Sequence, residues 1–101
     1  GYMCAFWMIG LGELPEASGE ICITEIFGET ISPEESQINF GVHPFQDPMI
    51  KDEFYQNKFP INAANFHIYA AEWTPTYIDF YIDNVKVRTI EQSHTYPIQF
   101  M

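Results

Sequence analysis

The chain has 101 residues, enough for one small domain, and its 47% hydrophobic and 17% aromatic content argues against disorder. Fourteen acids against four Lys and Arg give a formal net charge of −10, which argues against nucleic acid or an anionic membrane surface as a partner. A neutral ligand is more compatible with this charge.

The first predicted strand covers residues 2–9, and a connection with Gly, Pro and Ser follows over 10–19. Within the strand, Trp7 is a candidate for lining a ligand cleft, with ordinary core packing as the alternative. Strand alternation places Cys4 on the face opposite Trp7 and Cys22 on the face of Glu20. We therefore expect the two thiols to remain free rather than form a disulfide.

The second predicted strand, residues 20–27, holds two acids among β-branched and aromatic residues. On a regular strand Glu20 and Cys22 share a face, whereas Glu25 points the other way. One extra residue between positions 22 and 25, a β-bulge, would bring all three to the same face. Two carboxyl groups on one face suit glycoside hydrolysis, and a retaining enzyme needs them roughly 5–5.5 Å apart. The alternative is that the acids guard an edge strand against aggregation.

The stretch 37–45 predicts a third strand that ends at Pro44. His43, on or near this strand, is a candidate for contacting an acid or a sugar hydroxyl, and a purely structural role is the alternative. The segment 46–65 is interpreted as turns and short extended pieces. Its acids do not match the spacing of a calcium loop, so they are expected to lie on the solvated surface. The sequence indicates no metal site and no cofactor.

The last predicted elements are a half-buried strand over 66–73 and a β-hairpin over 78–90 that turns at Asp83-Asn84. Ile78, Phe80 and Ile82 should share one face of the hairpin. Trp73 is the second candidate sugar platform, again with core packing as the alternative. Many short strands with turn signals predict an all-β protein, an antiparallel β-sandwich of the jelly-roll kind.

Several blocks of the chain resemble, in the right order, those of family 16 of the glycoside hydrolases. The stretch "ASGEICITEIFG" is similar to the family signature G-E-I-D-I-x-E, which is followed by an apolar residue and often Gly. Before it, "AFWMIG" resembles the preceding strand of the family. After it, "FHIYAAEWTPTYIDFYIDNVKVRTI" is similar to the F-H-x-Y-A-x-E-W-T-P stretch and its hairpin, and "YPIQFM" resembles the next strand. Together these blocks cover nearly the whole chain.

The resemblance implies a jelly roll that holds a β-glycan, with Glu20 in the position of the nucleophile and Glu25 in that of the acid/base. Cys22 departs from the family pattern, which usually has Asp there, and this departure puts activity in question. Because the family domain is much longer, residues 1–101 are expected to be part of a single catalytic domain whose strands are missing at both ends. Trp7 matches the family's tryptophan before the signature.

The sequence therefore predicts a retaining, endo-acting glycoside hydrolase with a polysaccharide substrate, most simply a β-1,3-glucan or a related β-glycan. A non-catalytic carbohydrate-binding protein of the same fold, motivated by Cys22, is the alternative. A third class is a structural β-domain whose acids only protect an edge. No nucleic acid or membrane partner is expected. The compartment is unassigned, with secretion of the longer parent protein as the expectation.

Overall fold

The computed structural model describes residues 1–10, 12, 14 and 16–93, together with a strand at 98–100. The predicted connection over 10–19 and the final block "YPIQFM" thus lie only partly within the described residues. In that part of the chain, no helix is long and apolar enough to cross a membrane.

Within the described residues the chain forms eight β-strands and one short 3-10 turn, Gly28–Thr30. The strands are β1 (Met3–Gly10), β2 (Glu20–Phe27), β3 (Ser36–His43), β4 (Glu53–Phe59), β5 (Tyr69–Trp73), β6 (Ile78–Ile82), β7 (Val85–Ile90) and β8 (Ile98–Phe100). They pair into a five-stranded sheet with the order β4-β3-β2-β1-β8 and a three-stranded sheet with the order β5-β6-β7. Every pairing is antiparallel. The prediction of an all-β antiparallel sandwich is confirmed.

The core lies between the two sheets because each contributes one apolar face. In β3, Ile38, Phe40 and Val42 are buried and alternate with residues that face the other side. The ring of Phe40 packs 5.1 Å from that of Phe80 on β6, centroid to centroid. The remaining face of the five-stranded sheet points away from the three-stranded sheet, and it carries the two acids singled out in the sequence.

The β6–β7 hairpin turns where the sequence predicts, and both turn residues adopt positive φ, 51° at Asp83 and 66° at Asn84. Ile78, Phe80 and Ile82 all face the core, as expected. The opposite face of the hairpin is polar, but it is not fully exposed to solvent, since Asp79 is only 5% exposed. Neighbouring side chains compensate for this burial, because the Thr89 hydroxyl donates to its carboxylate and Lys86 Nζ lies 3.5 Å away.

Two expectations for the middle of the chain were wrong. The segment predicted as turns and short pieces contains a continuous seven-residue strand, β4, which pairs with β3 along its whole length. The acids before it are also not all solvated, since Asp47 is only 9% exposed and accepts a hydrogen bond of 2.8 Å from the backbone N–H of Met49. Asp47 thus stabilises a local turn. Polar sequence composition alone does not distinguish such a turn from a solvent-exposed loop.

His67 ties the segment before β5 to the β6–β7 turn. Its Nδ1 lies 2.7 Å from Asp83 Oδ2, and its Nε2 lies 3.0 Å from the carbonyl oxygen of Asn62. Both ring nitrogens face acceptors, so the arrangement is best satisfied by the doubly protonated imidazolium. The hydrogen bond that His67 donates to Asp83 raises the pKa of His67. The pKa of Asp83 is lowered, first by the hydrogen bond that it accepts from the Ile68 backbone N–H and then by the one from His67.

These opposite shifts predict how this link depends on pH. The stability that His67 contributes is complete below its pKa in the unfolded chain, and it is lost as the pH rises through its raised pKa in the folded protein. The stability that Asp83 contributes is complete above its pKa in the unfolded chain, and it is lost as the pH falls through its lowered pKa in the folded protein. The link is therefore strongest between about pH 4 and 6.5, the ordinary values of the two groups.

We expect His67→Gln to lower the urea midpoint more at pH 6 than at pH 9. Asp83→Asn is the matched variant, because asparagine tolerates positive φ and preserves the turn. Both variants should lack the part of the pH dependence of stability that the link between His67 and Asp83 gives the native protein. A stability difference from the native protein that is equal at both pH values would refute this role for His67.

Candidate active site

A β-bulge in β2 brings the two acids to one face of the five-stranded sheet. Against β1, Phe6 pairs with Thr24 and the next residue, Trp7, pairs with Cys22, so Ile23 is left without a partner. Against β3, the register also shifts between Cys22 and Glu25. This is the irregularity that the five-residue spacing of the acids requires, and it lies where the sequence places it.

The shared face, which we call the site face, consists of three rows of residues that lie side by side across the strands. Residues directly opposite each other in antiparallel strands point to the same side of a sheet. The rows, from β1 towards β4, are Ala5, Glu25, Asn39 and Gln56; Trp7, Cys22, Gly41 and Phe54; and Ile9, Glu20 and His43. The site face therefore brings Trp7 and His43 together with both glutamates and Cys22.

Glu20 occupies a half-buried position at the start of β2 and is opposite His43 in register. Burial raises the pKa of Glu20, the positive charge of His43 lowers it, and the nearby Glu25 carboxylate raises it further. Burial has the largest effect, so the net direction is upward. Glu20 consequently holds its proton to a higher pH than an ordinary glutamate.

Cys22 separates the two acids and stays a neutral thiol. Its side chain is only 1% exposed, and burial, followed by the charges of Glu20 and Glu25, raises its pKa to about 12. The thiol therefore keeps its proton at neutral pH and adds no third negative charge between the carboxylates. Both cysteines are free, and Cys4 pairs with the core residue Ile26 on the opposite face of the sheet, as alternation predicts.

Glu25 is held by an amide on the neighbouring strand. Asn39, which is fully buried, donates from Nδ2 to Glu25 Oε1 over 3.4 Å. Its own Oδ1 accepts a hydrogen bond of 3.1 Å from Gln37 Nε2. The second hydrogen bond fixes which end of the Asn39 amide faces the acid, so one carboxylate oxygen of Glu25 has an oriented donor.

The middle row of the site face runs from Trp7 on β1 to Phe54 on β4, and both of these aromatic residues are partly buried. The two positions between them carry only the small side chain of Cys22 and the hydrogen of Gly41. Gly41 has φ +144°, and a Cβ on it would lie 2.1 Å from the carbonyl oxygen of Glu53. No larger residue fits at position 41 without moving β4, so the backbone geometry requires glycine in the middle row.

Trp73 is not brought to the acids. It lies on β5, in the three-stranded sheet, where it pairs with the buried Ile78 and so shares the core-facing side. Its neighbour Glu72 pairs with Asp79 on the opposite side of that sheet. The structure therefore places Trp73 apart from the two acids, and its contact with a sugar stays a prediction. The sequence periodicity of β5 does not tell which sheet the strand joins.

Three further residues of this region were not identified from the sequence as candidates: Asn39, Phe54 and Asp52. A signal for Asn39 was present, because residues 37–43 alternate between three apolar residues and the set Gln37, Asn39, Gly41 and His43. For Phe54 and Asp52 the only signal is the pairing of β4 with β3, which local periodicity does not contain. Among the described residues, no group of three or more His, Cys, Asp or Glu side chains is arranged to hold a metal ion.

Comparison with known sequences places this arrangement in a family context. The family model described as Glycosyl hydrolases family 16 matches residues 1–101. Among characterised proteins, the chain is 32% identical over 71 residues to the Crh-like protein CRH12 of Candida albicans. This match covers 70% of the chain and 14% of that protein, so the chain spans only a small part of its relative's length.

Solved structures share the fold. A GlcNAcα1-4Gal-releasing endo-β-galactosidase from Clostridium perfringens superposes with a TM-score of 0.76 at 27% identity, covering 95% of this chain and 25% of that one. A second structure, from work on endo-acting O-glycanases of the human gut microbiota, gives a TM-score of 0.54 at 24% identity. It covers 86% of this chain and 31% of the other, and at this identity it supports the fold alone.

Proposed function

The chain belongs to glycosyl hydrolases family 16, and on that basis we propose that it carries the catalytic acids of a retaining, endo-acting glycoside hydrolase. The observation that supports this most directly is the bulge at Ile23, which aligns Glu20 and Glu25 on one face despite their odd spacing. The retaining mechanism calls for carboxyl groups about 5–5.5 Å apart, and we propose this separation for the pair. The proposed substrate is a β-1,3-glucan or a related β-linked glycan.

In the proposed first step, the Glu20 carboxylate attacks the anomeric carbon, and Glu25 donates a proton to the departing glycosidic oxygen. In the second step, Glu25 takes a proton from a water molecule that displaces Glu20 from the glycosyl-enzyme. Asn39 supports this division of roles, because it occupies one oxygen of Glu25 and leaves the other for proton transfer. His43 supports ionisation of Glu20, since its positive charge opposes the effect of burial.

The middle row of the site face supplies the proposed contacts with the sugar. Sugar rings offer apolar C–H faces, and Trp7 and Phe54 supply aromatic rings at the two ends of this row. Between them lie only Cys22 and Gly41, which carry no bulky side chain, and we propose that a sugar ring lies over these two residues, between the rows of the two acids. We propose Trp7 as a stacking platform and His43 as a neighbour of the bound sugar.

A non-catalytic carbohydrate-binding protein is the second candidate, and Cys22 is the observation that favours it. A protonated thiol is a weak hydrogen-bond partner compared with the aspartate that the family usually has at this position. With Cys22 neutral, only two carboxylates share the site, and the arrangement of their protons depends on burial, His43 and Asn39. Such a protein would bind the glycan and release no product.

Product analysis separates the two candidates. We expect the whole protein, incubated with a panel of β-glucans and β-galactans, to release oligosaccharides of several lengths from one of them. Proton NMR of the first product formed should show the β-anomer, because two successive displacements retain configuration. Binding to a glycan without any product would favour the second candidate, and an initial α-anomer would contradict the roles proposed for the acids.

A further inference from the structure

His43 is held from two sides on the site face. Its Nδ1 lies 3.0 Å from Asp52 Oδ1, and its ring centroid lies 4.4 Å from that of Phe54, with 31° between the ring planes. Asp52 precedes β4, Phe54 lies on β4, and Glu20 is opposite His43 on β2. His43 thus contacts an acid outside the sheet and lies opposite an acid of the proposed catalytic pair.

We propose that Asp52 is a positioning residue that, with the ring of Phe54, keeps the His43 imidazole directed at Glu20. The proposal rests on the proposed function insofar as Glu20 is the nucleophile. Asp52 itself does not touch the substrate in this arrangement. By holding Nδ1, it fixes the ring orientation and leaves Nε2 as the atom that is available to Glu20 or to the sugar.

The described charges around this pair are few. Asp52 and Glu20 are the acids that face His43, and Phe54 covers the ring from β4. Glu20 in turn is influenced by His43 and by Glu25. The side chain of Asp52 is 62% exposed, so the hydrogen bond alone is weak, and the packing of Phe54 is needed to keep the ring in place.

The direction in which the pKa of Glu20 changes tests whether Asp52 acts through His43. Removing Asp52 takes away a negative charge, which by its direct field would lower the pKa of Glu20 or leave it unchanged. Releasing His43 takes away a positive charge near Glu20 and raises that pKa. We therefore expect Asp52→Ala to raise the pKa of Glu20 by roughly 0.2–0.7 units, the size that exposed ion pairs support.

The experiment combines two readouts on the whole protein. Carbon-13 NMR of the Glu20 carboxyl follows its titration whether or not the protein is active, and the acid limb of kcat/KM should move to higher pH by the same amount. Glu34→Ala is the matched control, since Glu34 is exposed and lies beyond the far ends of β2 and β3, roughly 25 Å along the strands from the Glu20 row. This control should shift neither readout.

The same substitution made in the His43→Gln variant tests whether Asp52 acts through His43. In His43→Gln the Glu20 titration should already be shifted upward, and adding Asp52→Ala should change it no further. A downward shift in Asp52→Ala, an unchanged titration, or full additivity with His43→Gln would overturn the proposal. If the native protein shows no hydrolysis, the proposed function fails, and the Glu20 titration alone still decides whether Asp52 acts through His43.

Discussion

Replacing Glu20 or Glu25 by glutamine is expected to lower the hydrolysis rate by at least about 10²–10⁴-fold, the usual contribution of a positioned acid or base. Glutamine keeps the size of the side chain and removes the carboxylate, so the packing of β2 should be preserved. Glycan binding should persist in both variants, because the rings of Trp7 and Phe54 are untouched. Rates on a β-glycan and a binding isotherm for the same glycan measure the two effects separately.

External azide can assign the separate roles of the two acids. In Glu20→Gln, azide would attack in place of the missing nucleophile and give the α-glycosyl azide by a single inversion. In Glu25→Gln, azide would attack the glycosyl-enzyme after the first inversion and give the β-glycosyl azide. Glu34→Gln serves as the surface control and should retain the native rate. Full activity in either active-site variant would contradict the assignment, and exchanged azide products would reverse the two roles.

Gly41→Ala is expected to cause the largest loss of stability among single substitutions near the site, about 2–5 kcal/mol in the free energy of unfolding. Two effects combine here, because φ is +144° and the added Cβ would meet the backbone of Glu53 at 2.1 Å. The atoms that the Cβ would meet belong to the backbone of β4 and not to a flexible side chain, so β3 and β4 must separate to relieve the contact. Denaturant unfolding of the native and variant proteins measures the loss.

Gly28→Ala provides the comparison for Gly41→Ala. A Cβ at Gly28 would approach the ring and the carbonyl oxygen of Tyr2 at 3.3 Å, and that ring is 80% exposed and can move aside. We expect this variant to lose about 1 kcal/mol or less. Equal losses in the two variants would show that the backbone contact at Gly41 is relieved without cost, and that the middle row of the site face does not depend on glycine.

Local sequence patterns predicted the parts of this fold that local chemistry determines. The span of β2, the turn at Asp83-Asn84 and the irregularity between Cys22 and Glu25 follow from alternation and from turn preferences. Family resemblance added the order of the blocks, and the match over the whole chain confirms that resemblance. Each of these features can be recognised within about a dozen neighbouring residues.

Features that depend on pairing between distant segments were not predicted. The strand Tyr69–Trp73 has the same alternation whichever sheet it joins, so the sequence did not reveal that Trp73 lies in the sheet without the acids. Likewise, Asp52 and Phe54 come near Glu20 only because β4 pairs with β3. Burial of Asp47 and Asp79 depends on partners that close over them, and polar composition alone predicts exposure for both.

The unpaired Ile23 also bears on how this gene segment tolerates insertions and deletions. Loops usually absorb length changes, whereas a strand with one buried face does not, because a shift by one residue exchanges its two faces. Position 23 is an exception, because deleting Ile23 would leave Glu20 and Glu25 four residues apart, and a regular strand places residues at that spacing on the same face. The deletion would therefore remove the bulge and keep both acids on the site face. It would also remove the local bend and extra twist that a bulge gives a strand, and so change the separation of the two carboxyl groups. A lineage can thus change the length of this strand by one residue without turning either acid away, and the bulge sets how the pair is spaced.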